Sequence, residues 1–318
     1  MKSFTAGKNE DGARLSRFVE NVTSGMPKSL LYKAFRNKRI KVNGKKGAPD
    51  TRLCPGDLVE LYINDEFFET PSEENVYLTI VNPRLHIIYE DENIMLLDKP
   101  AGMVVHADEG EKVNTLVNHL LAYLYQKREW KPREENAFTP ALCNRIDRNT
   151  GGIVIAAKNA EALRVLNEKI RERELSKFYL CICLGRPEPP KGRIECFLRK
   201  DSKTNTVRVY HHPVPDGRSA VTLYETLETR DRLSLVEVEL LTGRTHQIRA
   251  SFADMGHPLL GDGKYGVGSV NRRYGETQQA LYSYRLRFDF PTDAGILNYL
   301  RGREFIADEV PFRRKYFG

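Results

Sequence analysis

The strongest constraint in this chain is local. Asn144-Arg145-Ile146-Asp147-Arg148-Asn149-Thr150-Gly151-Gly152 runs directly into Ile153-Val154-Ile155-Ala156-Ala157. A short apolar run entered through a Thr-Gly-Gly turn reads as a buried strand. Asp147 is thereby set on a loop that feeds the core, rigidly placed yet open to a ligand. The nearby arginines on both sides favour its ionised form. A structural ion pair is the plainer use of an R-x-D-R run, and the rest of the chain decides between that and a reacting carboxylate.

At 318 residues, 40% of them apolar, there is material for one large domain and a small one. No stretch approaches the ~20 apolar residues of a membrane span. Met1 to Leu15 is polar and lacks the apolar segment of a secretory signal. A cytoplasmic protein with no membrane partner is therefore expected. The five cysteines, at 54, 143, 181, 183 and 196, form no C-x-x-C pair, which argues against a disulfide framework or a zinc site. Cys181 and Cys183 alternate along a strand-like run and read as small apolar residues. His211-His212 has no carboxylate or cysteine at ligand spacing and reads as an exposed loop, so no metal site is expected.

The net charge of +7 favours a polyanionic partner. Its distribution is more telling. Eight cations (Lys28, Lys33, Arg36, Lys38, Arg39, Lys41, Lys45 and Lys46) fall between residues 28 and 46 with no acidic residue among them. A merely solvated face mixes its signs, so this clustering points to nucleic acid.

The cluster lies within a small module, residues 13–63. Leu15, Phe18, Val19 and Val22 recur at helical spacing, and Ser24-Gly25 breaks the helix. Ser29 is expected to cap a second helix carrying Leu30, Leu31, Ala34 and Phe35. Ile40-Lys41-Val42 alternates like a strand and meets an Asn43-Gly44 turn. Pro55-Gly56 precedes a second strand, Leu58 to Ile63. Residues 64–82 are acidic, contain Pro71, and read as a linker.

From residue 83 to 318 strands predominate. Leu85–Tyr89, Ile94–Leu97, Phe178–Leu184, Ser219–Leu227, Leu233–Leu241 and Ala280–Phe290 read as strands. Asn114–Tyr125 and Ala160–Ile170 have helical periodicity. Without a β-α-β repeat, the class expected is α+β with a mixed, largely antiparallel sheet.

Arg39-Ile40-Lys41-Val42-Asn43-Gly44, the preceding helix pair and Pro55-Gly56-Asp57-Leu58-Val59 resemble the S-four-type RNA-binding domain, named after a small-subunit ribosomal protein. The resemblance implies contact with structured RNA, with Lys28, Arg36, Lys38, Arg39 and Lys41 as contacting cations.

Four further segments accompany Asp147. They are Asp98-Lys99-Pro100-Ala101-Gly102, Lys177-Phe178-Tyr179, Gly243-Arg244-Thr245-His246-Gln247-Ile248-Arg249, and Gly256-His257-Pro258-Leu259-Leu260-Gly261-Asp262 followed by Tyr265-Gly266. In this order the set resembles the RluA-type pseudouridine synthases, from about residue 13 to the end. Around the catalytic aspartate that family carries H-R-L-D-x-x-T-S-G. Asn144 stands here for its His, Ile146 for its Leu and Gly151 for its Ser.

The resemblance implies isomerisation of uridine within RNA. Asp147 would be the essential carboxylate, as nucleophile or as base toward the ribose. Arg249 would pair with it. Tyr179 would pack on the uracil and could move a proton. Arg145 would fill the gap left by the extracted nucleotide, and Ile248 would form an apolar wall under the base. Lys99 and His246 read as scaffold or RNA-contact residues. There is no Walker loop, no G-x-G-x-x-G after a strand and no metal-ligand cluster, so no cofactor is expected. The appended module implies a large structured substrate, large-subunit ribosomal RNA ahead of transfer RNA, acted on by a monomer. A non-catalytic RNA-binding assembly factor is the rival reading, and Asp147, Tyr179 and Arg249 together argue against it. An RNA methyltransferase would need a glycine-rich nucleoside-binding loop that the chain lacks.

Overall fold

A computed structural model describes residues 1–23, 26–68, 72–132, 136–201 and 203–318. The helix break expected at Ser24-Gly25, and Pro71, lie outside the described residues. The chain falls into two compact units, one of residues 1–84, 117–141 and 157–164, the other of residues 85–116, 142–156 and 165–318.

In the first unit a four-stranded antiparallel sheet runs in the order Lys2–Thr5, Leu58–Leu61, Ile40–Val42, Lys45–Lys46. Helices Leu15–Val22 and Lys28–Arg36 bury Leu15, Phe18, Val19, Leu31, Ala34 and Phe35 with Ile40, Val59 and Leu61 of the sheet. Ser29 does not cap the second helix. Its first turn closes on Pro27, whose carbonyl accepts from the amides of Leu30 and Leu31, so Ser29 already lies inside the helix. Asn43 and Gly44 both take positive φ, 51° and 75°, as the tight hairpin turn requires. The Asn43 amide donates to Asp57 Oδ1 at 2.8 Å, and its carbonyl accepts from Leu58 N–H at 2.9 Å. The two short motifs of the module thus meet in space. Within residues 64–82, Asp65–Phe68 and Ser72–Thr79 are 3-10 helices, and Tyr77 packs on Trp130 with ring centroids 5.1 Å apart.

The second unit is built on a mixed, largely antiparallel sheet. Its main path runs Thr206–Tyr210, Lys191–Asp201, Arg218–Arg230, Leu233–Leu240, Leu175–Leu184, Leu281–Phe288, Gly151–Ala157, Ile94–Lys99, Ile87–Glu90. The α+β class is as the sequence leads one to expect. The strands Lys191–Asp201 and Thr206–Tyr210 were not expected. Their alternation is carried by charged residues on an exposed face, with Cys196, Leu198 and Val207 buried behind.

One join positions the site. Gly151–Ala157 pairs in parallel with Leu281–Phe288 through Tyr282↔Gly151 and Ser283↔Gly152. Gly152 has φ +110°, and a Cβ there would come within 2.1 Å of the Ser283 carbonyl oxygen. A Cβ on Gly151 would meet the Tyr282 ring at 2.4 Å. The Gly-Gly pair is required by this close approach. On its other side Ser283 faces Tyr179, so the Asp147 loop and Tyr179 are brought to neighbouring strand positions.

Candidate active site

The Asp147 loop is held from behind by its backbone. Thr150 N–H donates to the Asp147 carbonyl at 3.1 Å, and Asn144 Oδ1 accepts from Ile155 N–H at 2.8 Å. Asn144 therefore ties the start of the loop to the strand that follows it. Lys99, fully buried, donates to the carbonyls of Pro100, Met103 and Arg148 at 2.9, 2.7 and 3.0 Å. Burial pulls the Lys99 ammonium down to about 7, against the opposing pull of Asp147 and Asp98. The three carbonyls also work against burial, because each needs one proton of the charged amine. Outside the loop, Arg148 Nη2 reaches Asp108 at 2.8–2.9 Å.

The carboxylate itself meets the helix Gln247–Asp254. Arg249 Nη1 donates to Asp147 Oδ2 at 2.8 Å. The other side of the guanidinium grips Asp262 through two parallel bonds, Nε to Oδ2 at 2.7 Å and Nη2 to Oδ1 at 2.9 Å. Burial opposes the charge on Arg249, but the bonds to Asp262 and Asp147 outweigh it and hold the guanidinium further toward its charged form. Burial raises Asp262 while Arg249 and the backbone amides of Lys264 and Tyr265 lower it, and the net shift is downward. Such a bidentate pair fixes the arginine in one plane. The Asp147 side chain remains 28% exposed.

Asp147 opens onto a cavity of about 530 Å³ whose lining includes Arg145, Lys177, Tyr179, Ile248 and Arg249. That lies in the usual range of roughly 300–1,000 Å³ for small-ligand sites. Ile248 is buried at the first turn of its helix, and Arg145 is exposed at the cavity edge. The Tyr179 hydroxyl is pushed up to about 12, first by burial and then by the Asp147 charge, against a hydrogen bond with Ser283. It is a hydrogen-bond donor at neutral pH. Burial also lowers Lys177.

The five module cations are not in this lining and belong to the first unit. Lys28, Arg36, Lys38 and Arg39 are exposed, and Lys41 lies with its amine 4.9 Å from the Tyr62 ring centroid. Asp262 and Tyr265 were legible as part of a motif but not as partners of the site, because the residues they serve are distant in sequence. The sole local signal is a Gly-Asp pair in a loop. His211 and His212 are exposed, and the described residues contain no group of three or more metal-ligating side chains. No helix among them is long and apolar enough to cross a membrane.

Residues 93–254 match the family model described as RNA pseudouridylate synthase. The ribosomal large subunit pseudouridine synthase C of Vibrio parahaemolyticus is 31% identical over 287 residues, 89% of this chain and 86% of that protein. A protein of Mycoplasma pneumoniae named as an uncharacterized RNA pseudouridine synthase is 31% identical over 318 residues, 97% of this chain and 95% of its own. Among solved structures, human RNA pseudouridylate synthase domain containing 4 superimposes with a TM-score of 0.55 at 19% identity, over 76% of this chain and 93% of that one. That likeness bears on the fold alone. The segment that holds Asp147, Tyr179 and Arg249 is the segment the family model covers, and relatives match along most of the length. The chain belongs to the RNA pseudouridylate synthase family, the isomerases that convert uridine in RNA to pseudouridine.

Proposed function

We propose that this isomerase acts through Asp147 on uridines of large-subunit ribosomal RNA. The observation that carries the assignment of Asp147 is its geometry. One oxygen, Oδ2, is held by Arg249 at 2.8 Å, while among the described residues Oδ1 accepts no hydrogen bond and the carboxylate faces the cavity. An ionised carboxylate with one oxygen anchored and one available can attack C1′ of the ribose or take a proton from the neighbouring C2′. In either course the C1′–N1 bond breaks, the uracil turns, and a C1′–C5 bond forms. C5 then loses its proton to a base and N1 takes one up, while the Asp147–C1′ bond breaks in the first course and the ribose proton returns in the second, so the atom count of the nucleotide is unchanged.

Tyr179 supplies a ring for the uracil and a hydroxyl that stays protonated. Ile248 supplies an apolar wall. Arg145, exposed at the cavity edge, takes the space of the extracted nucleotide, whose unstacking costs roughly a few kcal/mol. Residues 13–63 form an RNA-binding module whose exposed cations contact phosphate. The ribosomal substrate is supported by the large-subunit enzymes among the relatives. It is tested by mapping pseudouridines in ribosomal and transfer RNA from cells with and without the gene. Sites lost only from large-subunit RNA support the reading, and sites lost only from transfer RNA overturn it.

A further inference from the structure

His246 takes no part in the chemistry proposed for Asp147, Tyr179 and Arg249, yet both its backbone and its side chain are held in place. It sits immediately before helix Gln247–Asp254 with φ 53° and ψ 21°. A left-handed backbone is unfavourable for a residue with a Cβ and persists where the surroundings over-determine it. The side chain is buried. Nδ1 lies 2.8 Å from the Tyr265 hydroxyl oxygen, and Nε2 lies 3.8 Å from Asp147 Oδ2.

The hydroxyl favours one placement of the imidazole proton. It already accepts a hydrogen bond from Val207 N–H at 2.7 Å. Its own proton needs an acceptor, and His246 Nδ1 is the one the described residues offer. If Nδ1 were protonated, the hydroxyl would have to accept twice and turn its own proton away from the one acceptor it has here. The ring therefore accepts at Nδ1 and keeps its single proton on Nε2, the nitrogen that faces Asp147.

The surroundings favour that neutral form. Burial pulls His246 down to about 4, and Arg249 and Lys264 add to it, while Asp147 and Asp262 oppose. The adjacent helix N-terminus also disfavours an imidazolium. Tyr265 also meets Arg249, the other partner of the Asp147 carboxylate, and Asp262 behind it. Its ring centroid lies 5.3 Å from the Arg249 guanidinium carbon, and its amide donates to Asp262 Oδ1 at 3.1 Å.

We propose that His246 is a positioning residue for Asp147, its Nε2–H aimed by the Tyr265 hydroxyl so that it and Arg249 Nη1 cradle Oδ2 and leave Oδ1 to the ribose. The proposal rests on Asp147 as the reacting carboxylate. At 3.8 Å the Nε2–H is not yet hydrogen-bonded. A small turn of the Asp147 side chain closes the gap when a nucleotide displaces water from the cavity.

Nitrogen-15 NMR of the full chain, with His246 assigned by comparison with His246→Gln, reads the tautomer directly. The expected result is a neutral ring with its proton on Nε2 throughout about pH 6–8, with no titration near the ordinary value of about 6.5. In single-turnover assays His246→Ala and Tyr265→Phe should each lose at least ~10-fold in rate, as misplacement of a reacting group does. RNA affinity should change only a few-fold. His246→Gln, which restores an N–H near the Nε2 position, should recover most of the rate lost in the alanine variant. A wild-type ring protonated on Nδ1, one that titrates near 6.5, or an alanine variant at the wild-type rate would overturn the proposal. If those results came with an inactive Asp147→Asn, only the role of His246 would fall. An active Asp147→Asn would instead remove the carboxylate reading beneath it.

Discussion

Asp262 binds Arg249 through both carboxylate oxygens, at Nε–H and Nη2–H, and Arg249 meets Asp147 through Nη1 alone. The arginine is thus anchored by a buried acid and only then presented to the partly exposed one. A fixed donor holds Asp147 in one rotamer without a second bond that would occupy its reacting oxygen.

The first prediction follows from that anchoring. Asp262→Ala leaves Arg249 buried with half of its partners gone. Breaking a buried pair from one side costs about 3–5 kcal/mol, and the unmoored arginine should lower the single-turnover rate by ~100-fold. Urea unfolding and a single-turnover assay check the two parts. A variant of wild-type stability and rate would show that Asp147 is positioned by something else.

Lys99→Met tests the support behind the loop. The substitution keeps the stem and removes the amine, so the carbonyls of Pro100, Met103 and Arg148 lose their shared donor. We expect a loss of roughly 3 kcal/mol in unfolding free energy, since bonds to charged groups contribute about 1.5–3 each and some carbonyls will find water. Lys99→Arg should not restore it, because the larger guanidinium does not fit a fully buried site.

Tyr179 has two separable duties. Tyr179→Phe keeps the ring and Tyr179→Leu removes it. Loss of base stacking, ~1–3 kcal/mol, should weaken binding of the flipped nucleotide in the leucine variant. The phenylalanine variant should bind RNA nearly normally but lose at least ~100-fold in single-turnover rate if the hydroxyl moves a proton. Phenylalanine at the wild-type rate would reduce Tyr179 to a platform.

Much of this was legible in the sequence, for reasons that differ by residue. The Asp147 loop stood out because Thr150-Gly151-Gly152 meets an apolar run, and both glycines prove to be forced by close approach to Tyr282 and Ser283. The Asn43-Gly44 turn was visible because few residue pairs tolerate positive φ twice in succession. Lys191–Asp201 stayed hidden because its outward face is charged and its inward face holds few large apolar residues. Ser29 misled because a serine near a helix start resembles a cap, whereas Pro27 had already begun the helix. Asp262, Tyr265 and His246 belonged to visible motifs, but their bonds to one another and to Asp147 exist only in three dimensions.

The basic module makes a prediction of its own. Replacing Lys28, Arg36, Lys38 and Arg39 by glutamine removes four exposed cations without touching the buried core of the first unit. If all four reach phosphate, the slope of log affinity against log salt should flatten by about 3, at ~0.7–0.9 per contact. An unchanged slope would show that this face does not meet RNA.

The most direct measurement is pseudouridine formation by Asp147→Asn on an RNA that the wild-type enzyme modifies. The amide preserves size and shape and removes the charge that either course of reaction requires. That role of Asp147 requires no measurable pseudouridine, with RNA affinity kept within a few-fold of wild type. Turnover near the wild-type rate would contradict it.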